Sequence, residues 1–382
     1  MDSLPPELVY MILWWAVQGA ISPGLLRHVC RDWRDMLDTY KFPVPSVRGI
    51  YMEYISTPDM LQWVSVNNCT WDQPFMFAHA ARMGNLAMIQ WMRSHLWTWN
   101  LYTCSEAAHG GHLEILQWVR ERNCPWNEFT CSSAAEGGHL EILQWARANG
   151  CPWDEHTCEH AAEEGHLEVL QWAHAKGCEW TSSTCSSAAK GGQLECLEWA
   201  FKNGCCADTR TCAAAAKHGH LHILKWAHAN GFPWTPTTCA GAAEGGHLDI
   251  LICVREKGCE WTEHTCMYAA EKGHVHILEW AHANGCLMTA KTFKSAAQHG
   301  QLEVLAWLYE HKCPWNAGVC AHAAKYGQMR ALKFLRRLGC PWDQWTTDAA
   351  RRQQHYKVLT WAVQNGCPVD TSYAGLLGYN RM

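Results

Sequence analysis

Apolar and polar residues follow a pattern that recurs every 27 residues along most of the chain. Its plainest marker is the string G-H-L-E-I-L-Q-W. Cys253 and Phe334 occupy two slots of the tryptophan series that ends this string, and tryptophan fills the others: Trp91, Trp118, Trp145, Trp172, Trp199, Trp226, Trp280, Trp307 and Trp361. A fixed period of this size is typical of a solenoid, in which one supersecondary unit stacks on copies of itself.

Residues 151–177 illustrate the first helix that each repeat predicts. Asp154 stands in a slot that holds only Asp, Asn or Thr in the other repeats, and these side chains cap a helix by accepting a bond from a free backbone N–H. Cys158, Ala161 and Ala162 follow at helical spacing and form a narrow stripe of small apolar residues. We therefore expect a neighbouring helix to pack closely against this stripe.

A glycine separates this helix from a second one. Gly165 is expected to end the first helix in the left-handed conformation, and Gly177 ends the second. The second helix has the wider apolar face, formed by Leu167, Val169, Leu170, Trp172 and Ala173. Each repeat is thus predicted as two short antiparallel helices, a tight turn and a return segment without a strand. A second tryptophan series in the return segments is expected to fill the gap between repeats: Trp99, Trp126, Trp153, Trp180, Trp234, Trp261, Trp315 and Trp342.

This repeat, T-C-x-x-A-A-x-x-G-H-L-E-I-L-Q-W-A-x-x-N-G-C-x-W-[DN], resembles the ankyrin repeat. The Ala-Ala pair, the Gly-His-Leu turn and the glycine before the return segment match that family in register over about residues 59–382. The family's repeat has about 33 residues, and the residues missing here fall where the family forms its β-hairpin finger. The resemblance implies an all-α, ankyrin-like α-solenoid of about eleven 27-residue repeats that lack the finger and end in terminal half-repeats.

Residues 1–40 break the period and predict two or three short helices with apolar stripes. The strings L-P-x-E-L and V-C-R-x-W in this segment resemble the F-box, whose helices bind the Skp adaptor of cullin–RING ubiquitin ligases. The resemblance implies an F-box-like domain over 1–40, a linker over 41–58, and an adaptor-binding surface formed by Leu4, Pro5, Leu8, Ile12, Val29 and Trp33. Alternatively, these helices only cap the end of the solenoid, as repeat arrays require.

An F-box followed by ankyrin-like repeats resembles the architecture found in large DNA viruses, including pandoravirus- and mimivirus-type families. That resemblance implies a viral protein that acts on proteins of its host, in the host cytoplasm or nucleus. The N-terminus has no basic region of the kind that opens a secretory signal, which also favours an intracellular protein. We expect it to be a monomer.

Composition narrows the classes of partner. The 382 residues have a net charge of −5 without long runs of one sign, which argues against nucleic acid because phosphate binding needs a positive face. The longest apolar runs are about ten residues, whereas a membrane span requires roughly 20. The sequence therefore favours protein partners over nucleic acid or a membrane.

The 22 cysteines recur at two slots of the repeat. Equivalent slots of stacked helices lie about 8–10 Å apart, farther than a disulfide spans, and the chain has no C-x-x-C pair. We therefore expect reduced, buried cysteines that act as small apolar residues, and neither a metal nor a cofactor. The histidines that follow the turn glycines are expected to bond to the backbone of the neighbouring repeat: His112, His139, His166, His220, His247 and His274.

The segment from His156 to His160 spells H-x-x-E-H, a zinc metallopeptidase pattern. The same slots hold Phe129 and Ser133 one repeat earlier, so these are variable surface positions of a first helix. No nucleotide-binding loop, nucleophile elbow or carboxylate pair is present, and no catalytic residue is predicted. A metal-dependent hydrolase that uses His156 and His160 stays as the enzymatic alternative.

The positions that vary between repeats lie on the first helices and define a candidate target-binding surface. Its members are Phe129, His156, His160, Arg210, His264, Tyr268 and Lys294, with Glu159, Met267 and Phe293 as further positions. The sequence predicts a non-enzymatic adaptor, in which the F-box recruits a Skp/cullin-type ubiquitin ligase and the solenoid binds a target protein. A pure scaffold that sequesters a partner, with no link to a ligase, is the alternative.

Overall fold

The structure is a computed structural model that describes residues 73–206 and 208–369. Within these ranges it contains 22 α-helices and no strand, which confirms the prediction of an all-α chain without the β-hairpin finger. No helix in this part of the chain is long and apolar enough to cross a bilayer. The F-box-like segment 1–40 with its adaptor-binding residues, the linker 41–58 and the C-terminal half-repeat lie outside the described residues.

The chain divides into two compact units, which we call unit 1 and unit 2, and unit 1 ends at Glu179. The described part of unit 1 contains four repeats, each with a first and a second helix. The helices are, in chain order, α1 Gln73–Arg82, α2 Leu86–Ser94, α3 Leu101–His109, α4 Leu113–Glu121, α5 Glu128–Glu136, α6 Leu140–Ala148, α7 Glu155–Glu164 and α8 Leu167–Ala175.

Unit 2 begins at Trp180. Its described part contains seven repeats of the same kind, so odd-numbered helices are again first helices and even-numbered ones second helices. They are α9 Ser182–Gly191, α10 Leu194–Lys202, α11 Thr209–Lys217, α12 Leu221–Ala229, α13 Pro236–Gly245, α14 Leu248–Glu256, α15 Glu263–Lys272, α16 Val275–Ala283, α17 Ala290–His299, α18 Leu302–Glu310, α19 Ala317–Lys325, α20 Met329–Arg337, α21 Gln344–Arg352 and α22 Tyr356–Gln364.

The predicted capping slot starts the first helices. Asn127 Oδ1 accepts a hydrogen bond from the backbone N–H of Phe129 at 3.2 Å, and Asp154 Oδ1 accepts one from His156 N–H at 3.2 Å. Each bond satisfies one of the N–H groups that a helix N-terminus leaves free. The prediction is confirmed at Asn100, Asn127, Asp154, Thr181, Asp208, Thr235, Thr262, Thr289, Asn316 and Asp343, while Asp72 and Asp370 lie outside the described residues.

The core of each unit lies between the helix pairs. First helices pack against the first helices of neighbouring repeats within a unit, and their small residues, such as Ala161 and Ala162, are fully buried. The second helices bury a narrower face than predicted: in α8 the residues Val169, Leu170 and Ala173 are buried, whereas Trp172 is only half-buried. Close packing of the first helices therefore follows from the small-residue stripe.

The turn histidines link consecutive repeats, as the sequence predicts. His139 Nε2 lies 3.1 Å from the carbonyl oxygen of His109, and His274 Nε2 lies 3.1 Å from that of Glu244. A carbonyl oxygen only accepts, so Nε2 carries the proton and donates. Each bond satisfies a carbonyl near the C-terminus of the preceding first helix, where no intrahelical donor is available. The same bond is made by His112, His166 and His220.

The two tryptophan series meet at the repeat junctions. Trp153 of a return segment packs edge-on against Trp172 of the following second helix, with ring centroids 5.9 Å apart, and the Arg147 guanidinium lies 4.1 Å from the Trp153 centroid. The expectation that these tryptophans fill a closed gap is wrong in degree, because both rings remain half-buried. A large indole at the edge of the stack is covered by a long charged side chain instead of by core.

Candidate functional site: the first-helix surface

The exposed side chains of the first helices form a surface in each unit, which we call the first-helix surface. Four predicted target-binding residues occupy one slot of it, two residues after the cap: Phe129, His156, Arg210 and His264. The capping bond fixes this slot in the first helical turn, on the side away from the buried stripe. All four side chains are exposed, so the structure places them where the sequence predicts.

Unit 1 carries a row of exposed aromatic rings on this surface. Phe75 and Tyr102 precede Phe129 at the same spacing, and their exposed fractions are 48%, 53% and 48%. A shallow groove of about 490 Å³ lies between the first two rings, with Pro74, Ala78, Arg82 and Glu106 also lining it. The sequence analysis missed Phe75 and Tyr102, although counting back from Phe129 by one and two periods would have found them.

A chain of polar contacts runs beside these rings. Arg82 Nη1 lies 3.0 Å from Glu106 Oε2, and Arg82 Nη2 lies 2.8 Å from His109 Nε2. His109 Nδ1 is 3.4 Å from Glu136 Oε2, and the predicted residue His160 reaches the same carboxylate at 3.9 Å. Each contact joins neighbouring repeats, so the chain fixes the polar side of the surface while the rings stay exposed.

The H-x-x-E-H segment contributes two histidines to this surface. The His156 and His160 rings are 6.3 Å apart and edge-on. His156 Nδ1 lies 3.0 Å from Asp154 Oδ2, and this hydrogen bond raises the pKa of His156 above its ordinary value. Asp154, Glu155 and His156 place their ligand atoms within 4.8 Å of one another, but Asp154 is already used as the helix cap. The two histidines are therefore accounted for by capping and by the ion pair with Glu136.

In unit 2 the first-helix surface contains a deeper groove, of about 520 Å³, over helices α11, α13 and α15. Its floor consists of small residues, among them Ala213, Ala240 and Gly241, and the predicted residues His264 and Tyr268 line it. A Cβ at Gly241 would lie 2.5 Å from the carbonyl oxygen of Ala213. Glycine therefore lets α13 approach α11 closely, and the groove exists because no side chain rises from its floor.

Charged residues border this groove. Lys217 Nζ lies 2.8 Å and Lys272 Nζ lies 3.7 Å from the same oxygen of Glu244. Lys272 Nζ also lies 2.9 Å from Glu271 Oε1, and this hydrogen bond raises the pKa of Lys272 above its ordinary value. His264 and Tyr268 pack with their rings 6.3 Å apart. An apolar floor with an aromatic wall and a charged rim suits a protein segment that presents an apolar side chain.

The remaining predicted residues have defined partners. Arg210 Nε bonds to Asp208 Oδ2 at 2.8 Å, and Arg210 Nη2 bonds to Ser182 Oγ at 2.6 Å. Lys294 is half-buried, and its Cε would lie 2.8 Å from a Cβ at Gly318, so that glycine leaves room for the lysine. Both residues belong to the first-helix surface, but neither lines the unit 2 groove.

Phe293 does not belong to this surface, and that expectation is wrong. Its side chain is fully buried in α17 because it stands in the slot that holds a buried cysteine in most repeats. The ring packs against Trp315 with centroids 5.3 Å apart. The partner slot of the same repeat holds Cys313, which leaves space for the larger ring.

Paired helices with a 27-residue period, capped first helices and Gly-His turns define an ankyrin-like, all-helical repeat protein. No protein-family model and no curated protein matches the chain. Among solved structures, the ankyrin repeat domain of human ASB11 is similar, with 15% sequence identity and a TM-score of 0.34 over 41% of this chain and 84% of that chain. The fold assignment rests on the helix pairs, caps and turns of this chain itself.

Proposed function

We propose that this protein is a non-enzymatic scaffold whose first-helix surface binds a target protein. The unit 2 groove carries this proposal, since it combines a floor of small apolar residues with the exposed ring of Tyr268. The buried slots of the repeats hold nearly constant residue types, whereas the exposed slot two residues after the cap holds residues as different as Phe129, Arg210 and Trp345. Uniform buried slots with a varied exposed face are what a recognition surface on a repeat array requires.

A matched pair of tyrosine variants tests the groove. Tyr268, which lines the groove, is 37% exposed, and Tyr309, on second helix α18, is 44% exposed. We expect proteins captured by the wild-type chain to be lost with Tyr268→Glu and kept with Tyr309→Glu, as measured by quantitative mass spectrometry of pull-downs. Equal capture by both variants would contradict target binding at this groove.

We further propose that residues 1–40 recruit a Skp-type adaptor and make the scaffold a substrate-recognition subunit of a cullin–RING ubiquitin ligase. The support is the pair of strings L-P-x-E-L and V-C-R-x-W, with Leu8 and Trp33 in the implied contact surface. A purified adaptor should bind the wild-type chain and should not bind a variant that carries Leu8→Asp and Trp33→Ala. Tyr268→Glu serves as the control, because a groove variant should bind the adaptor as the wild type does.

Failure of the wild-type chain to bind any Skp-type adaptor would leave only the pure scaffold, which sequesters its partner. The proposal places the protein inside a host cell as a monomeric viral factor, following the resemblance of its architecture to that of large DNA viruses. Light scattering on the purified chain tests the monomer, and detection of the chain in cytoplasmic or nuclear fractions of infected cells tests the location.

A further inference from the structure

Seven pairs of buried cysteines lie in contact inside the two units, and the members of each pair are 20 residues apart. In each pair the cysteine of a first helix contacts the cysteine that begins the next return segment. The Sγ atoms of Cys239 and Cys259 are 3.4 Å apart, and those of Cys266 and Cys286 are 2.9 Å apart. The other pairs, also hydrogen-bonded, are Cys104–Cys124, Cys131–Cys151, Cys158–Cys178, Cys185–Cys205 and Cys320–Cys340.

These contacts went unnoticed in the sequence because only equivalent slots were compared there. All fourteen thiols are free in the structure and at most 4% exposed. The distance between equivalent cysteines has no bearing on the contact, because each pair joins two different slots across a repeat junction. The return segment folds back over the end of the first helix and brings the second thiol onto the first.

The two thiols of a pair have different surroundings. Cys151 Sγ donates to the carbonyl oxygen of Asn127 at 3.3 Å, and Arg147 donates to the carbonyl oxygen of Cys151. The hydrogen bond from Cys131 lowers the pKa of the Cys151 thiol, and the nearby guanidinium groups act in the same direction. The same bond raises the pKa of Cys131, with burial adding to the effect. One thiol of the pair is thus the better nucleophile and the other holds its proton.

We propose that the seven cysteine pairs are modification sites that close into intrachain disulfides when a peroxide oxidises them. A disulfide bond is about 2.05 Å long, so the Sγ atoms of Cys266 and Cys286, now 2.9 Å apart, need to approach by less than the length of one bond. Rotation about the Cα–Cβ bonds supplies such a movement. Every closure joins a first helix to the return segment that follows its repeat.

The chemistry needs one molecule of hydrogen peroxide per pair. The thiolate of the return-segment cysteine attacks a peroxide oxygen, the O–O bond breaks, and a sulfenic acid forms while hydroxide takes up the thiol proton to leave as water. The first-helix thiol then attacks this sulfur, its own proton goes to the departing hydroxyl, and a second water leaves. The two sulfurs lose two electrons in total, and the two peroxide oxygens gain them.

Two repeats provide natural controls, since each has a phenylalanine in place of one cysteine. Cys212 has Phe232 in its partner slot, and Cys313 has the buried Phe293 in its own. Burial raises the pKa of Cys212 to about 11. Both repeats keep the helix pair, so the pocket accepts one cysteine with one phenylalanine, and packing alone does not demand two thiols. Cys206 is exposed and reports whether the oxidant has acted.

The test uses the full chain, purified under reducing conditions and then treated with hydrogen peroxide in its native state. Free thiols are blocked in denaturant, and the peptides are identified by mass spectrometry. We expect disulfide-linked peptides that join cysteines 20 residues apart, while Cys212 and Cys313 are recovered as blocked free thiols. Oxidation of Cys206 with all seven pairs recovered as free thiols would overturn the proposal, and so would linkages between cysteines of equivalent slots.

A single substitution checks that the linkage is specific. In Cys286→Ala, Cys266 should be recovered as a blocked free thiol after peroxide treatment, while Cys239 and Cys259 still form their disulfide. Circular dichroism of the reduced variant verifies that its helices are retained. A disulfide from Cys266 to any other cysteine in a variant with wild-type helix content would show that the native contact does not direct the oxidation, and would overturn the proposal.

Discussion

At the scale of single residues, the turn glycines fall into two classes that have the same backbone conformation but different surroundings. Gly111, after a first helix, has φ +82°, and a Cβ there would lie 2.6 Å from the ring of His139. Gly150, after a second helix, has φ +81°, and a Cβ would meet nothing within 4 Å. The second class tolerates other residues, because Asn123 and Lys312 occupy its slot with positive φ.

Alanine at the two glycines separates backbone strain from the contact with histidine. Gly150→Ala should lower the free energy of unfolding by about 1 kcal/mol, which is the strain of an L-residue in the left-handed region. Gly111→Ala should lower it by about 2–3 kcal/mol, since the same strain is joined by displacement of the His139 ring and its backbone bond. Urea unfolding followed by circular dichroism measures the difference, and equal losses would show that the histidine yields without cost.

The turn histidines also make stability depend on pH. Burial lowers the pKa of His139 and of His274 below the ordinary value, and both already use Nε2–H to donate. The unfolded chain therefore binds protons at these positions before the folded chain does. By linkage, the free energy of unfolding is unaffected well above a pH of about 6.5 and falls as the pH drops through that value towards the folded pKa values.

Glutamine at these two positions should weaken the acid sensitivity. Gln301 stands in the same slot and donates through Nε2 to the carbonyl oxygen of Glu271 at 2.9 Å, so His139→Gln with His274→Gln can keep both bonds. We expect the urea midpoint of this variant to change less than the wild-type midpoint between about pH 7.5 and about pH 5.5. His156→Gln is the control: the pKa of that exposed histidine is raised, so its removal should not reduce the sensitivity to acid.

At the scale of elements, the junction between a second helix and its return segment depends on an arginine. Arg147 lies over Trp153 at 4.1 Å and donates to the carbonyl oxygen of Cys151. The arrangement recurs with Arg120 and Arg255, and His228 stacks on Trp234 at 4.4 Å in an equivalent position. The charged side chain thus orients the half-buried indole and the backbone beside it.

Removal of this arginine should destabilise unit 1 more than removal of a solvated charge. Arg147→Ala loses a cation–π contact and a charge-assisted hydrogen bond, and we expect the free energy of unfolding to fall by about 2 kcal/mol. Lys176, exposed at the end of α8, is the matched control, and Lys176→Ala should change it by less than about 0.5 kcal/mol. Urea unfolding monitored by tryptophan fluorescence measures both, and a loss for Arg147→Ala no greater than the control would refute the role.

Local features of the elements were readable from the sequence, and features that depend on folding across a junction were not. Asp154 and Gly165 act as predicted because capping and left-handed turns depend on a few neighbouring residues. The contact of Cys266 with Cys286 depends on where the return segment meets the preceding helix, which no periodicity specifies.

The candidate site divides in the same way. The exposed slot of Phe129 and His264 follows from helical spacing after a cap, and the sequence located it. The unit 2 groove depends on how closely two helices approach at Gly241, which the sequence does not show. Phe293 was misplaced because a change of residue type in a buried slot has the same signature in one sequence as a variable surface position.

At the scale of the whole molecule, each repeat contacts its neighbours through the same small set of groups. Within unit 1 these are the cysteine pair, the tryptophan edge contact and the histidine bond, which recur at Cys104–Cys124, Trp126–Trp145 and His139–His109 O. A stack held by nearest-neighbour contacts has a stability that is roughly the sum of repeat and interface terms. The length of such a unit is therefore not fixed by its fold.

Deletion of one full period should consequently leave a folded protein. Removal of residues 124–150 joins Asn123 to Cys151, so that Trp153 takes the place of Trp126 beneath Arg120 and His166 takes the place of His139 at the carbonyl of His109. We expect the mean residue ellipticity of the shortened chain to equal that of the wild type and its unfolding to stay cooperative. Removal of residues 124–138 takes out only first helix α5, so that two second helices follow each other and their apolar faces lose the helices that cover them. That control should lose ellipticity and become sensitive to protease, because the order of the helix pairs, and not the number of helices, closes the core of unit 1.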